Sequence, residues 1–182
     1  GINIVRSRWR ANIIMGVPAN LTSGTWQRPR ITLAAGCGGF QDAAVLRPVI
    51  HVTMPHCYGE NDNMNQAVRS INIVISDGND GAVGLYFHGA QGSLISDVRV
   101  EAGDGFAGFF GAVGAGSSFI NVAVVGGRYG LYAPDGTSEP SSVIAAANFS
   151  NQSTSAIYWV GQANLVLTGV HIVVSRPTAL AA

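Results

Sequence analysis

Ile71-Asn-Ile-Val-Ile75, Ile95-Ser-Asp-Val-Arg-Val100, Ile120-Asn-Val-Ala-Val124, Ile144-Ala-Ala-Ala-Asn-Phe149 and Leu167-Thr-Gly-Val-His-Ile172 read as one short strand written five times. Their last apolar residues, Ile75, Val100, Val124, Phe149 and Ile172, recur after 25, 24, 25 and 23 residues. A second short strand follows each of the first four: Gly84-Leu-Tyr-Phe87, Gly108-Phe-Phe-Gly111, Gly130-Leu-Tyr-Ala133 and Ala156-Ile-Tyr-Trp159. A repeat of this length with no helical pattern predicts a solenoid of β coils.

Within the first strand Ile71, Ile73 and Ile75 point one way, Asn72 and Val74 the other, as a half-buried strand requires. Stacked coils bring equivalent residues about 4.8 Å apart. Ile73, Val98, Val122, Ala147 and Val170 are then expected in one internal column, and Tyr86, Phe110, Tyr132 and Tyr158 in an aromatic one. Plain packing is the favoured account of such a column.

The rest of the chain is less regular. Ile2-Asn-Ile-Val5, Ile13-Ile-Met15, Ile31-Thr-Leu33 and Val49-Ile-His-Val-Thr53 are strand candidates, and Met54 to Ala67 is a polar excursion. The division expected is a single domain over 1–182, with an irregular start at 1–27 and regular coils over 28–175. A period of about 24 predicts an all-β, single-stranded right-handed parallel β-helix of roughly seven coils.

Composition narrows the function. Apolar residues make up 47% of the 182 residues, charged residues 11%, and glycine numbers 24. Such a balance suits short strands and tight turns better than helices. There is no lysine, and the ten arginines are scattered in a chain of zero net charge. No basic stripe is available to displace the counterions of a nucleic acid. No apolar run reaches the roughly 20 residues of a membrane-spanning helix. The chain starts at Gly1 without a signal-peptide pattern, so a processed chain or a segment of a longer one is expected. Asn20-Leu-Thr22, Asn148-Phe-Ser150 and Asn151-Gln-Ser153 are glycosylation sequons and hint at secretion. Cys37 and Cys57 lie about one coil apart, which allows either a disulfide between rungs or two buried thiols.

Three groups of residues are candidates for chemistry. Asp80, Asp104 and Arg128 are each 24 apart and are expected to stack on one face. Neighbouring carboxylates would form an acid–base pair; the favoured reading of Asp-Gly at 80–81 and 104–105 is ordinary turn chemistry. His88 and Gln91 leave the second strand together and can each hold a water or a sugar hydroxyl. Trp9, Trp26, Trp159 and Tyr58 are candidate sugar platforms, with Trp159 equally readable as a core plug. Cys37, His56 and Cys57 lack a fourth zinc ligand at a recognisable spacing. Asp77-Gly-Asn-Asp80 is the one calcium candidate. No metal and no cofactor is therefore assigned.

Val68-Arg-Ser-Ile-Asn-Ile-Val-Ile75, Gly84-Leu-Tyr-Phe-His-Gly-Ala-Gln91 with Ser93 and Asp97-Val-Arg-Val-Glu101, and Gly126-Gly-Arg-Tyr-Gly-Leu-Tyr132 resemble rungs of the pectate-lyase superfamily. Within it the resemblance is closest to glycoside hydrolase family 55, the exo-β-1,3-glucanases, and spans roughly residues 28–175. It implies the first of two β-helix domains of an inverting hydrolase. In that family glutamines on the first helix hold the attacking water and a glutamate on the second is the general acid. Gln91 matches a water-holding glutamine. His88 replaces its companion, and Ala112 stands where an acidic residue is frequent. The expectation is an extracellular polysaccharide-active protein, with Gln91, His88, Asp80 and Asp104 at the chemistry and Arg128, Tyr132 and Trp159 along the groove. The expected partners are a polysaccharide and a second β-helix domain or subunit at the ends, with neither nucleic acid nor membrane. A non-catalytic glycan-binding or tailspike-like module and a polysaccharide lyase are the alternatives.

Overall fold

The structure, a computed structural model, describes residues 1–5, 11–17, 19–20, 26–53, 63–114, 116–134, 142–160 and 164–174. Two sheets face each other across a buried, mostly apolar interior. The front sheet has six strands in the order Ile2–Val5, Arg47–Thr53, Ala82–Phe87, Ala107–Phe110, Tyr129–Ala133 and Ser155–Trp159. The back sheet is built on two long strands, Ala67–Ile75 and Leu94–Gly103. Later rungs of this sheet are split in two: Ser118–Ile120 with Ala123–Gly126, Ser142–Ala145 with Asn148–Ser150, and Leu165–Thr168 with His171–Val173. Ile13–Met15 and Arg30–Leu33 both pair with Ala67–Ile75. Every pairing in these two sheets is parallel; a separate antiparallel hairpin joins Ala19–Asn20 to Trp26–Gln27. No described residue is helical.

The fold is a parallel β-solenoid of about four turns, not the roughly seven that the period implies. The regular period does not reach the N-terminal third. Leu85, Phe109, Leu131 and Ile157 follow one another in register at two dozen residues or so, but Leu85 pairs back to Ile50 and Ile50 to Ile2 over much longer stretches. Those stretches hold the hairpin and the strands Ile13–Met15 and Arg30–Leu33, so residues there do not add whole coils.

The sequence pattern explains what points inward. Ile71, Ile73 and Ile75 are buried while Asn72 and Val74 are half-buried, the alternation of a strand with one face on the core. Val68, Ile95, Phe119 and Ile144 form one fully buried column, and Ile50, Leu85, Phe109 and Leu131 another from the front sheet. Each such side chain stabilises by about 1.5–3 kcal/mol relative to exposure. The sheets approach so closely that the front strands carry Gly84, Gly108 and Gly130. A Cβ on them would stand 2.6 Å from Val100, 2.4 Å from Val124 and 2.5 Å from Phe149.

One expected column is corrected. Val98 pairs with Ile71, and Val100 with Ile73, so the internal column runs Ile71, Val98, Val122, Ala147 and Val170. The slip is two residues. Ile75 stands level with Ala102 and not with Val100, because the large apolar residues run to Ile75 on the first strand and give way to alanine after Val100 on the second. A two-residue slip keeps every side chain on its own face, so inside and outside were assigned correctly.

The bend itself is a column of left-handed residues. Ser70, Asp97, Asn121, Ala146 and Gly169 have φ of 54, 55, 52, 52 and 61°. One residue in this conformation turns the back sheet through a corner without breaking the stack. Asn121 Nδ2 donates to Asp97 Oδ1 at 2.6 Å, so neighbouring rungs are tied at the corner.

A second tie is internal. Gln66, Ser93, Ser117 and Ser142 are buried in register where the chain enters the back sheet. The Gln66 amide donates to Ser93 Oγ (3.2 Å), and the Ser93 amide donates to Ser117 Oγ (2.9 Å). Ser117 Oγ donates to the Ala90 carbonyl (3.1 Å), and Ser142 Oγ to that of Val113 (2.6 Å). Leaving such a buried group unpaired costs about 1–3 kcal/mol.

Candidate functional site

The outer face of the front sheet carries a ladder of rings. Ile50 and Val52 are buried, so His51 between them faces out, and the parallel register places Tyr86, Phe110, Tyr132 and Tyr158 beyond it in sequence of rungs. His51 stacks on Tyr86 with centroids 4.6 Å apart and planes 9° apart. Tyr86 meets Phe110 edge-on at 4.6 Å, and Phe110 meets Tyr132 at 5.5 Å. Tyr132 stacks on Tyr158 at 4.8 Å and 15°. Phe106 and Tyr129 widen this end: Phe106 lies 5.0 Å from Tyr132, and Tyr129 lies 4.7 Å from Tyr132 and 5.8 Å from Tyr158. The rings are half-buried, and Tyr158 is exposed. Seven rings in unbroken contact thus cover the outside of the sheet rather than its core.

The local electrostatics follow from crowding. Burial, and next the neighbouring His88, lowers the pKa of His51, so its imidazole stays neutral below the usual histidine range. Its Nε2 is buried and makes no hydrogen bond. Burial, and then the hydroxyls of Tyr158 and Tyr129, raises the pKa of Tyr132. Both shifts favour the neutral form of the ring concerned.

The residues picked out by sequence fall on three sides of this ladder. Tyr132 is part of it. Trp159 sits on the opposite side of its strand, partly buried against the core, while its neighbour Tyr158 takes the outer face. Asp80, Asp104 and Arg128 lie at the edge where the chain enters the front strands. Arg128 Nη2 is 3.8 Å from Asp80 Oδ2, an exposed pair worth about 0–1 kcal/mol. Asp104 Oδ2 accepts the Gly78 amide at 2.8 Å, which is turn chemistry. His88 and Gln91 lie at the other edge, where the chain leaves. Asn63 Nδ2 donates to the His88 carbonyl, and the Asn65 amide donates to the Gln91 carbonyl at 2.9 Å, fixing this turn.

The two edges are far apart. The six-residue strand Ala82–Phe87 stands between Asp80 and His88, and at about 3.3 Å per residue it separates them by about 20 Å. Inverting hydrolysis requires its two groups at roughly 6.5–9.5 Å. The structure therefore joins Asp80 to Arg128, and groups His88 with Gln91 in one turn, but does not bring the two sets together.

Among the described residues no cluster of three acidic, histidine or cysteine side chains is placed to hold a metal. The calcium candidate has a structural use: buried Asn79 donates to the carbonyls of Ala34 (2.9 Å) and Ser76 (2.7 Å) and accepts the Cys37 amide (2.8 Å). Cys37 is a free thiol. Cys57, His56, Trp9 and Tyr58 lie outside the described residues.

Sequence reading found four of the five ladder positions and missed His51, Phe106 and Tyr129. His51 was legible in principle, since it occupies in Val49–Thr53 the outward place that Tyr86 holds in Gly84–Phe87. Phe106 and Tyr129 enter from outside that column, and only the rotamers show it. No known protein family matches the chain, and no curated protein or solved structure is significantly similar to it.

Proposed function

We propose that this chain is a carbohydrate-binding β-solenoid of the pectate-lyase type, acting outside the cell and taking a polysaccharide on the ring ladder of its front sheet. The observation that carries the reading is the outward placement of His51, Tyr86, Phe110, Tyr132 and Tyr158 in unbroken contact. Packing the interior does not require these rings, because Leu85, Phe109 and Leu131 already fill it. Half-exposed rings with polar tips offer both apolar contact and hydroxyls to a sugar. A column without aspartate, glutamate, lysine or arginine suits a neutral polymer better than the uronic-acid substrate of a lyase.

Binding without cleavage fits the separation of the two edges. A second reading, hydrolysis of a β-1,3-glucan-like polymer, draws on His88 and Gln91 standing in one turn held by Asn63 and Asn65. In that reading a general acid comes from beyond the described residues, on a further domain or subunit.

Affinity electrophoresis through gels containing laminarin, xylan or polygalacturonate tests the proposal. Retardation by a neutral glycan, weakened by Tyr158→Ala, is the expected result. No retardation by any glycan removes the reading. Glucose released from laminarin, and lost in Gln91→Ala, would establish the second one.

A further inference from the structure

The C-terminal end of the ladder differs from the rest in that three phenols meet there without a phenylalanine or imidazole between them. Tyr132 and Tyr158 are register partners on adjacent parallel strands, with rings stacked 4.8 Å apart and their planes within 15° of parallel. Tyr129 touches both. Tyr86, by contrast, is insulated from Tyr132 by Phe110. We infer that Tyr132 and Tyr158 form an oxidative coupling site, at which a peroxide-driven one-electron oxidant joins them as a dityrosine that staples two successive rungs.

The chemistry balances with the oxidant named. Each phenol gives up its O–H hydrogen, one electron and one proton, to leave a phenoxyl radical. The two radicals join through a carbon–carbon bond between ring carbons ortho to oxygen. Each joined carbon then loses its hydrogen as a proton while its own oxygen is reprotonated, restoring two phenols. Two electrons and two protons in all pass to hydrogen peroxide through the peroxidase, giving two waters. Coupling ordinarily fails because two short-lived radicals must meet. Here the register holds the partners in contact before either is oxidised, which turns the encounter into an intramolecular step. Tyr158 is 38% exposed, so the oxidant reaches it and its ring has room to turn. Tyr129, in contact with both, relays a hole to the pair and does not take part in the bond.

The test treats the full chain with hydrogen peroxide and a haem peroxidase, isolates the monomer by gel filtration, and digests it on the amino side of aspartate. Cleavage before Asp135 separates the two residues, and Tyr158 is the one tyrosine downstream of it. The expected product is a monomer lighter by two hydrogen atoms, with blue dityrosine fluorescence and the two peptides linked. Tyr158→Phe and Tyr132→Phe each abolish the link, while Tyr129→Phe retains it; phenylalanine keeps the ring, so all three fold. Dityrosine confined to covalent dimers, a monomer link that survives Tyr158→Phe, or no dityrosine in the monomer would each overturn the inference.

Discussion

The front and back sheets use one template and fill their outer faces differently. On the back, the register column Arg30, Asn72, Arg99, Ala123, Asn148 and His171 changes chemistry at nearly every rung. Three of its arginines have local partners: Arg99 pairs with Glu101 at 3.3 Å on its own strand, Arg69 Nε donates to Ser96 Oγ at 3.1 Å, and Arg28 lies 4.0 Å from Asp97. On the front, the corresponding column repeats rings from His51 to Tyr158. A solvated face of a parallel stack needs only polar residues, so the back shows what the architecture itself demands. The repetition on the front is additional, and the proposed glycan-binding surface rests on it.

This contrast can be broken at several points. The deepest is the division between inside and outside of one strand. Leu131→Ala, facing inward, should cost about 2–5 kcal/mol of unfolding free energy, read from urea denaturation. Arg99→Ala on the back face should cost under about 1 kcal/mol. A result in which the two are equal would dissolve the inner and outer assignment. Next, Tyr158→Ala should weaken glycan binding about tenfold, from the loss of about 1.4 kcal/mol of ring contact. Smaller again is the bend of the back sheet. Ala146 adopts the left-handed conformation with a Cβ, so Ala146→Gly should stabilise by about 1 kcal/mol and raise the melting temperature by about 2–4 °C. A fall instead would mean that the corner is not strained.

The smallest expected effect is on pH. His51 has a folded-state pKa below its unfolded value of 6.5. The unfolded chain therefore binds the extra proton first, and stability is lost as pH falls below about 6.5 toward the lowered value. Above that range His51 contributes no slope. Urea midpoints measured on either side of it should show the decline in the parent protein and a shallower one in His51→Asn. An unchanged slope in the variant would assign the decline to other groups.

Much of the architecture was legible because a solenoid makes sequence period and spatial stacking the same quantity. The alternation in Ile71–Ile75 announced the buried face, and Tyr86, Phe110, Tyr132 and Tyr158 announced a column. The register of Ala67–Ile75 against Leu94–Gly103 was not legible, because the last apolar residue of a strand marks its turn and not its bend. The bend escaped because it is made by Ser70, Asp97, Asn121 and Ala146, with glycine only at Gly169; no residue type marks it. Gln66, Ser93, Ser117 and Ser142 recur at the right spacing, but a lone serine in a turn reads as solvated. At the site, Tyr158 and Trp159 are neighbours of similar character, and only strand alternation decides that the tyrosine looks out and the tryptophan looks in. The Asp80–His88 separation depends on strand length, which the twenty-odd-residue period conceals.

The most direct test is a titration of one neutral glycan, identified by gel retardation, against three proteins: the parent, Tyr158→Ala on the front and Arg99→Ala on the back. The account predicts that affinity falls with the front substitution and is unchanged by the back one. Equal affinity in all three proteins would contradict it.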